Sequence, residues 1–260
     1  MRQTLELAVL GDPVEHSLSP AIHGAAMVSC GFDGSYTAIK ADRRILASMI
    51  DDLRSGSMSG LNVTMPLKGD AAELADVLTP EAVSSQSVNT LRYRRNRVEG
   101  HSTDAVALAK LISENSIADQ TPIHLLGAGG AAGAVFAAGG DRTIYVASRR
   151  MEQAKSIAGQ WRQGQTVPWG TPVAGAFVIN TTPLGMKGEN LPEGLIDVAS
   201  ALIDLPYGNA TTPAVELALS MGLPTVDGLA FLVTQAAESF RWWTGVDPPL
   251  NVMFEAVRKT

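Results

Sequence analysis

A lysine closely follows an apolar strand in the segment LNVTMPLK, residues 61–68. Apolar and polar residues alternate up to Met65, which predicts a half-buried strand, and Pro66 ends it. The carboxyl ends of strands are where α/β proteins place ligands and reactive groups. Lys68 is therefore a candidate for chemistry, although a lysine that extends from a helix start into solvent would give the same pattern.

A glycine-rich turn offers a second kind of chemistry, the binding of a dinucleotide. Residues 127–132, GAGGAA, fit the pattern G-x-G-x-x-G/A between an apolar strand and an alanine-rich helix. Gly127 permits a tight turn, Gly129 lets the backbone approach a pyrophosphate, and Ala132 lets the helix pack close to the strand. The amino terminus of that helix supplies N–H groups and a positive dipole end. In the alternative interpretation, the segment is only a turn of small residues.

The end of the next strand indicates which dinucleotide would bind. A NAD site usually has Asp or Glu about 20 residues after the first glycine, where it binds the ribose 2′-hydroxyl. Here that place reads Ser148-Arg149-Arg150. Two guanidinium groups suit a 2′-phosphate, so the sequence favours NADP(H) over NAD. At least one of the arginines is equally well explained as a solvated start of the following helix.

Strands and helices alternate along the chain, which is typical of sheets covered by helices. The first series has the predicted strands LELAVLG, GSYTAIKA and LNVTMP, the helices SPAIHGAAMVSCG, DRRILASMIDDLRSG and GDAAELADVL, and the hairpin SVNTLRYRRNRVEGHS. The second has the predicted helices STDAVALAKLI, AAGAVFAA and LAFLVTQAAESFRWW and the strands IHLLGAGG, RTIYVAS, AFVINTT, ALIDLPYG and PTVDG. Ser19 is a predicted N-cap of the first helix. We predict an α/β protein that divides near residue 102.

Composition limits the classes of function. The 260 residues are 45% hydrophobic and 18% charged, which is enough apolar material for a full core. A formal net charge of −6 argues against nucleic-acid binding. Cys30 is the single cysteine, and the four histidines show no metal-ligand spacing, so we expect neither a disulfide within the chain nor a metal site.

One stretch has the length of a membrane span. Residues 121–140 contain no Asp, Glu, Lys or Arg, but six of them are glycine. A glycine turn between a buried strand and a buried helix explains this composition better. We therefore expect a soluble cytoplasmic protein that does not enter a membrane.

At this point the sequence resembles the shikimate dehydrogenase family along nearly its whole length. The segments that carry the resemblance are HSLSPAIHGAAM (16–27), LNVTMPLK (61–68), SVNTL (87–91), STD (102–104), LLGAGGAAGA (125–134), VINTTPLGM (178–186), DLPYGNATTP (204–213) and DGLAFLVTQAAESFRWWTG (227–245). Their order and spacing together make the match specific.

The resemblance implies two domains with a cleft between them. Residues 1–102, with carboxyl-terminal helices at about 229–260, would form an α/β substrate domain, and residues 103–228 a Rossmann NADP-binding domain. The implied reaction is the reversible NADPH-dependent reduction of 3-dehydroshikimate to shikimate, a step of chorismate and aromatic amino acid biosynthesis. The implied partners are NADP(H) and this small substrate, and the protein would be a monomer or a homodimer.

The resemblance also implies roles for single residues. Lys68 would be the general acid or base, assisted by Asp104. The hydroxyls of Ser17 and Ser19 would bind the substrate carboxylate. The other implied substrate contacts are Thr64, Asn89, Tyr207 and Gln235. The implied cofactor contacts are Gly127, Ala128, Gly129, Gly130, Ala131, Ser148, Arg149, Arg150, Thr181 and Gly228.

Several of these residues also have a purely structural interpretation. Asp104 is a first-turn acid behind a Ser or Thr cap, and Ser17 and Ser19 lie at a helix start. The chain also departs from the family at three places. Ser102 stands where Asn is usual, with Ala105 and Ala107 where glycines usually follow. Ser148-Arg149-Arg150 replaces Asn-Arg-Thr, and Gly24 stands at the asparagine of the first helix.

Two other functions stay open. One is an NAD-dependent quinate/shikimate dehydrogenase. Such relatives often have a threonine at the position of Ser19 and an acid at the end of the second Rossmann strand, where this chain has arginines, so this function is disfavoured. A non-catalytic NADP-sensing module is disfavoured by Lys68 and Asp104, because a sensor does not need a proton donor.

Overall fold

A computed structural model of the chain describes residues 4–115, 117–208 and 210–258. The chain divides into two compact units, Met1–Ala107 together with Val233–Thr260, and Leu108–Leu232. The domain limits taken from the sequence, after residues 102 and 228, stay a prediction. Residues 1–3, 259 and 260 of the predicted first domain, and Asn209 in the segment DLPYGNATTP, lie outside the described residues.

The first unit begins with an alternation of strands and helices. In chain order its elements are β1 (Thr4–Gly11), α1 (Ser19–Cys30), β2 (Asp33–Lys40), α2 (Arg43–Ser55), β3 (Gly60–Val63), α3 (Lys68–Leu74), β4 (Val77–Leu78), α4 (Pro80–Ser85), β5 (Thr90–Arg94), β6 (Arg97–His101) and α5 (Thr103–Glu114). The boundary between the units falls inside α5.

The second unit has six short strands, and the chain then returns to the first unit within a long helix. The elements are β7 (Ile123–Leu126), α6 (Ala132–Gly139), β8 (Ile144–Ala147), α7 (Met151–Ala158), β9 (Gly164–Thr166), β10 (Phe177–Asn180), β11 (Ala201–Asp204), α8 (Pro213–Ser220), β12 (Thr225–Val226), α9 (Gly228–Thr244) and α10 (Leu250–Arg258). Helix α10 packs against α1.

The sheet of the first unit is mixed, with the strand order β2-β1-β3-β5-β6-β4. Strand β1 pairs in parallel with β2 and β3, whereas β5 is antiparallel to both β3 and β6. The predicted hairpin is confirmed, and its turn residues Arg95 and Asn96 have φ values of 51° and 60°. Such left-handed residues suit the tight turn between two antiparallel strands.

Three local predictions for this unit are wrong. Strand β3 is buried on both faces rather than half-buried, because Leu61 and Val63 pack in the apolar core and Asn62 is covered by Ser239. Helix α1 begins at Ser19 with Leu18 at the N-cap, and no side chain caps it, so Ser19 is not the N-cap. The segment GDAAELADVL is not one helix, since α3 ends at Leu74 and Val77 already belongs to β4.

The sheet of the second unit is parallel throughout, with the order β12-β11-β10-β7-β8-β9. Chain progression reverses direction between β7 and β10, which makes the carboxyl end of β7 the topological switch point of a doubly wound fold. The predicted α/β class with a Rossmann domain is therefore confirmed. No helix within the described ranges is long and apolar enough to cross a membrane.

A histidine lies in the core of the first unit. His23 on α1 is fully buried and stacks on Tyr36, with the ring centroids 4.4 Å apart and the planes 5° from parallel. Among the described residues, neither ring nitrogen has a hydrogen-bond partner. Burial lowers the pKa of His23 from 6.5 to about 3, so the native ring stays neutral.

We predict that His23 makes the fold less stable in mild acid. Between pH 6.5 and 3 the unfolded chain takes a proton on His23 that the native chain does not take, so the free energy of unfolding falls as the pH falls. In His23→Phe this loss disappears. Relative to wild type, the variant should gain about 2 kcal/mol more at pH 5 than at pH 7.

Urea unfolding of both proteins at the two pH values measures this difference. An identical pH dependence in both would mean that the native protein accommodates a protonated His23, which its apolar surroundings argue against.

Candidate active site

The predicted substrate and proton-transfer residues of the first unit converge at one edge of its sheet. Gly11 ends β1 and Thr64 follows β3, and the parallel register of the two strands places Leu10 beside Val63. Asn89 precedes β5, which runs antiparallel to β3, and its carbonyl accepts a hydrogen bond from the Val63 N–H at 2.8 Å. Thr103 follows β6, the strand next to β5. The topology therefore brings four separate segments together.

Lys68 pairs with Asp104. Lys68 is the first residue of α3, and Asp104 lies in the first turn of α5. The ammonium Nζ donates a hydrogen bond to Asp104 Oδ2, and only 16% of the lysine side chain and 5% of the aspartate side chain are exposed. An ion pair so poorly hydrated is maintained only with good geometry and further hydrogen bonds.

Asn89 supplies a hydrogen bond to the other carboxylate oxygen. Its Nδ2 lies 2.9 Å from Asp104 Oδ1, 2.8 Å from Thr103 Oγ1 and 3.3 Å from Gln235 Oε1. Its Oδ1 accepts from the Thr103 N–H at 2.8 Å. A backbone N–H is only a donor, so the group that faces the Thr103 N–H must be the Asn89 carbonyl oxygen. The Asn89 NH₂ group therefore faces the Asp104 carboxylate. Gln235 is buried rather than on the surface.

Ser17 and Ser19 lie at the amino terminus of α1. The Ser19 N–H donates to Ser17 Oγ at 3.3 Å, and Ser19 is buried. Pro20 has no N–H, so the two hydroxyls and the positive end of the helix dipole are the features of this helix start that would stabilise a carboxylate. This arrangement suits the predicted carboxylate contact, which stays a prediction.

Thr64 is held against Gly11. Its N–H donates to the Leu10 carbonyl at 2.8 Å. A Cβ on Gly11 would lie 2.3 Å from Thr64 Cγ2 and 2.8 Å from the Met65 carbonyl oxygen. Gly11 is therefore required so that the loop after β3 can lie close to the end of β1.

In the second unit, the glycine-rich turn lies at the switch point of the sheet. Gly127 follows β7 with φ at 112°, and a Cβ there would lie 2.4 Å from Thr181 Oγ1. Thr181 follows β10 and is fixed by its own N–H and hydroxyl, which both donate to the Leu126 carbonyl at 2.8 and 2.9 Å. The fold thus places Gly127 and Thr181 side by side.

The helix after this turn has an N-terminus suited to an anion. Ala131 is the N-cap residue of α6, and it has no side-chain group that could cap the first turn. A Cβ on Gly129 would meet nothing within 4 Å, so the backbone there is open to a ligand. Ala128 and Gly130 complete the turn, and Gly130 is exposed. These features fit a pyrophosphate.

The arginines predicted to bind a 2′-phosphate lie after β8. Arg149 and Arg150 are both exposed, whereas Ser148 is buried and accepts the Arg150 N–H at 3.3 Å. Arg150 is the N-cap residue of α7. Among the described residues no carboxylate pairs with either guanidinium, and none ends β8, so this place suits a phosphate better than a ribose hydroxyl.

Two further predicted residues lie near the end of the second unit. Gly228 is the first residue of α9, and a Cβ there would lie 2.2 Å from the Pro206 carbonyl oxygen. Tyr207 follows β11 and is half-buried. The roles of both residues stay predictions. Within the described part of the chain, no group of three or more His, Cys, Asp or Glu side chains could hold a metal ion.

Four polar residues that lie behind Asn89 were not predicted from the sequence. Asn62, Thr90, Thr103 and Ser239 are all buried and hydrogen bond to one another or to Asn89. One signal was available: Ser239 lies one helical turn after Gln235, on the same face of α9. The alternation of apolar and polar residues in β3 instead predicts that Asn62 faces solvent.

The two units define the class of this protein, a pyridine-nucleotide oxidoreductase with a Lys–Asp pair in a separate α/β unit. Comparison with known families agrees. Residues 9–91 match the family described as shikimate dehydrogenase substrate binding domain, and residues 228–258 match the shikimate 5'-dehydrogenase C-terminal domain.

Individual relatives cover almost the whole chain. It is 37% identical to the NADP(+) shikimate dehydrogenase of Halorhodospira halophila, over 96% of this chain and 97% of that one. It is 34% identical to the NADP(+) shikimate dehydrogenase of a Thermus thermophilus strain, over 98% of each. A crystal structure of a Thermus thermophilus shikimate 5-dehydrogenase with NADP(H) and shikimate covers 98% of this chain and 99% of its own, at a TM-score of 0.87 and 33% identity. The chain belongs to the shikimate dehydrogenase family.

We predict that Gly11→Ala damages the site through Thr64. The new methyl group has to displace Thr64 and the Met65 carbonyl, which should cost about 1–3 kcal/mol of unfolding free energy and lower the affinity for substrate. Gly24→Ala is the matched control. It lies in α1, where a Cβ would meet nothing within 4 Å, so it should leave stability unchanged or raise it by about 0.5–1 kcal/mol.

Urea unfolding and the KM for substrate report both effects. If Gly11→Ala behaved like Gly24→Ala in both measurements, the close approach of Thr64 to Gly11 would have no consequence for the site.

Proposed function

We propose that this protein catalyses the reversible NADPH-dependent reduction of 3-dehydroshikimate to shikimate, with Lys68 as general acid and base. The observation that carries the proposal is the Lys68–Asp104 ion pair, fixed by Asn89, in a chain of this family. Lys68 and Asp104 follow the carboxyl ends of β3 and β6, and strand ends of this kind are where α/β sheets bind ligands.

The reaction needs a proton as well as a hydride. NADPH, when bound, supplies the hydride that converts the ketone carbon into the carbinol carbon. The Lys68 ammonium donates its proton to the oxygen on which negative charge develops, and it stabilises that charge before the transfer. In the oxidation direction the neutral amine accepts the proton from the hydroxyl. One ketone, one hydride and one proton then give one alcohol.

Asp104 and Asn89 keep this lysine in place. Asp104 Oδ2 accepts a hydrogen bond from the Lys68 ammonium, and Asp104 Oδ1 accepts one from Asn89. The orientation of the carboxylate is therefore fixed at both oxygens. Fixed donors and acceptors add to the rate because they do not have to reorganise in the transition state. Asn89 would also bind a substrate hydroxyl, together with Thr64 and Gln235.

The remaining assignments concern binding. Ser17 and Ser19 would hold the substrate carboxylate, assisted by Tyr207. The turn from Gly127 to Ala131 would hold the pyrophosphate, with Arg149 on the 2′-phosphate beside Ser148 and Arg150. Thr181 and Gly228 would lie on the nicotinamide side. The cofactor assignments are supported by two features that fit a phosphorylated dinucleotide, the uncapped N-terminus of α6 and the two exposed arginines.

The protein would act in the cytoplasm, in the synthesis of chorismate and the aromatic amino acids. It would be a monomer or a homodimer, and light scattering of the purified protein distinguishes the two.

A spectrophotometric assay tests the proposed function. Reduction of NADP⁺ is followed with shikimate, and in parallel with quinate and with NAD⁺. Turnover with shikimate and NADP⁺ alone supports the proposal. Equal turnover with quinate and NAD⁺ would instead indicate the dual-specificity enzyme, and NADP binding without turnover would indicate a sensor.

We predict that Lys68→Met lowers kcat by about 10²–10⁴-fold, because the variant has no proton donor at this position. The KM for shikimate should change much less. Lys155→Met is the control, since Lys155 forms an exposed surface pair with Glu152, and it should keep wild-type kinetics. A Lys68→Met variant with wild-type kcat would remove Lys68 from the mechanism.

We predict that Arg149→Ala raises the KM for NADP⁺ much more than the KM for shikimate, because it removes a charge-assisted contact to the 2′-phosphate. The preference for NADP⁺ over NAD⁺ should fall in parallel. Arg150→Ala, at the N-cap of α7, should have a smaller effect. A change confined to the KM for shikimate would refute the 2′-phosphate assignment.

A further inference from the structure

Three buried hydroxyls form a closed cluster behind the Lys68–Asp104 pair. Thr90 on β5, Thr103 on α5 and Ser239 on α9 are all fully buried. The Oγ atoms lie 3.0 Å apart between Ser239 and Thr90, 3.0 Å between Ser239 and Thr103, and 3.2 Å between Thr90 and Thr103. We call these three residues the hydroxyl triad. The assignments above give them no role.

The triad hydroxyls hydrogen bond to Asn89, and within the described residues none of the three hydrogen bonds to Lys68 or to the Asp104 carboxylate. Thr90 Oγ1 donates to Asn89 Oδ1 at 3.3 Å, and Thr103 Oγ1 accepts from Asn89 Nδ2 at 2.8 Å. Thr103 also donates to Asn89 Oδ1 through its N–H. The triad therefore contacts both ends of the Asn89 amide, and the Nδ2 end also donates to Asp104 Oδ1.

A second amide closes the cluster on its far side. Asn62 Nδ2 donates to Thr90 Oγ1 at 3.0 Å and to Ser239 Oγ at 3.1 Å. Asn62 Oδ1 accepts from the Tyr36 hydroxyl at 2.8 Å. Ser239 is anchored in turn, because its hydroxyl lies 3.1 Å from the Gln235 carbonyl oxygen. A continuous series of hydrogen bonds thus runs from Tyr36 to Lys68.

We propose that the hydroxyl triad is a positioning element for proton transfer, which sets the orientation of Asn89 and through it the Asp104 carboxylate and the Lys68 ammonium. This inference rests on the proposed function. Thr90, Thr103 and Ser239 are positioning residues, because they act on the reacting proton only through Asn89 and Asp104.

The physical reason is the directionality of buried hydrogen bonds. If Asn89 were rotated by 180° about its amide, its carbonyl oxygen would face the Asp104 carboxylate, and its NH₂ group would face the Thr103 N–H. Both contacts are repulsive in a site with little water. The triad hydroxyls reinforce the correct orientation, and Asn62 fixes the hydroxyls.

Close packing of the core does not by itself require a cluster of buried hydroxyls. Buried hydroxyls stabilise a core only when every partner is present, and apolar residues of the same shape usually serve as well. Three hydroxyls from three elements, together with two amides, make up a network that is sensitive to direction. Such a network is useful where a neighbouring group must be held in one orientation.

The test uses variants that remove a hydroxyl but keep the local shape. Thr90→Val keeps a β-branched residue in β5, so the strand should be retained. Thr90→Ser restores the hydroxyl without the methyl group. Ser239→Ala removes the triad hydroxyl on α9. Ser85→Ala is the control, because Ser85 is also buried and its hydroxyl bonds to the Ala82 and Ser87 carbonyls, outside the network.

The measurements are kcat and KM with shikimate and NADP⁺, the solvent deuterium isotope effect on kcat, and Tm. We expect Thr90→Val and Ser239→Ala to lower kcat by about 3- to 10-fold, the kinetic equivalent of one hydrogen bond. Their solvent isotope effect should rise, because proton transfer becomes more rate-limiting. Thr90→Ser and Ser85→Ala should keep the wild-type kcat and isotope effect, even where Tm falls.

Two results would overturn the inference. If the triad variants lost Tm but kept the wild-type kcat and isotope effect, the hydroxyls would serve only the fold. If Thr90→Ser were as slow as Thr90→Val, the missing hydroxyl would not be the cause. Absence of shikimate turnover in the wild-type protein would refute the proposed function as well, so the two failures are distinguishable.

Discussion

The candidate active site depends on one constraint, a lysine and an aspartate that pair where little water reaches them. Such a pair is stable only if the remaining hydrogen-bonding capacity of both groups is satisfied. Asn89 meets this need at Asp104 Oδ1, and Asn89 is itself held by the N–H of Thr103. Each of these residues is therefore held by a hydrogen bond to the next one. Lys68 belongs to α3, Asp104 and Thr103 to α5, and Asn89, just before β5, also lies 3.3 Å from Gln235 on α9.

The backbone makes this convergence possible through close approaches that only glycine permits. Gly11 lets the loop after β3 lie against the end of β1, and Gly127 lets the turn after β7 lie against Thr181. In both units the candidate ligand-binding residues then come from neighbouring strand ends. This is the usual way in which an α/β sheet creates a binding site, because parallel strands end at the same edge.

Much of the fold and of the candidate site could be predicted from the sequence. The strand–turn–helix of the second unit and the Arg95–Asn96 hairpin both have local patterns, because each depends on residues that are near one another in the chain. The burial of β3 could not be predicted locally. Its alternation of apolar and polar residues is typical of a strand with one face in water, yet Asn62 is buried and bonds to Thr90, 28 residues away. That contact depends on the tertiary pairing of β3 with β5.

The same error explains why the hydroxyl triad was missed. A threonine in a strand and a serine in a helix are common on surfaces, and nothing local distinguishes Thr90 from such residues. For Ser239 the local signal is only its place one helical turn after Gln235. Their role arises only when α9 returns to the first unit, which places Ser239 within 3.0 Å of Thr90, 149 residues away. Residues that bind a substrate can be recognised from motifs in short segments. Residues that orient the substrate-binding residues can be recognised only in the folded structure, by following the hydrogen bonds of each buried polar group from one partner to the next.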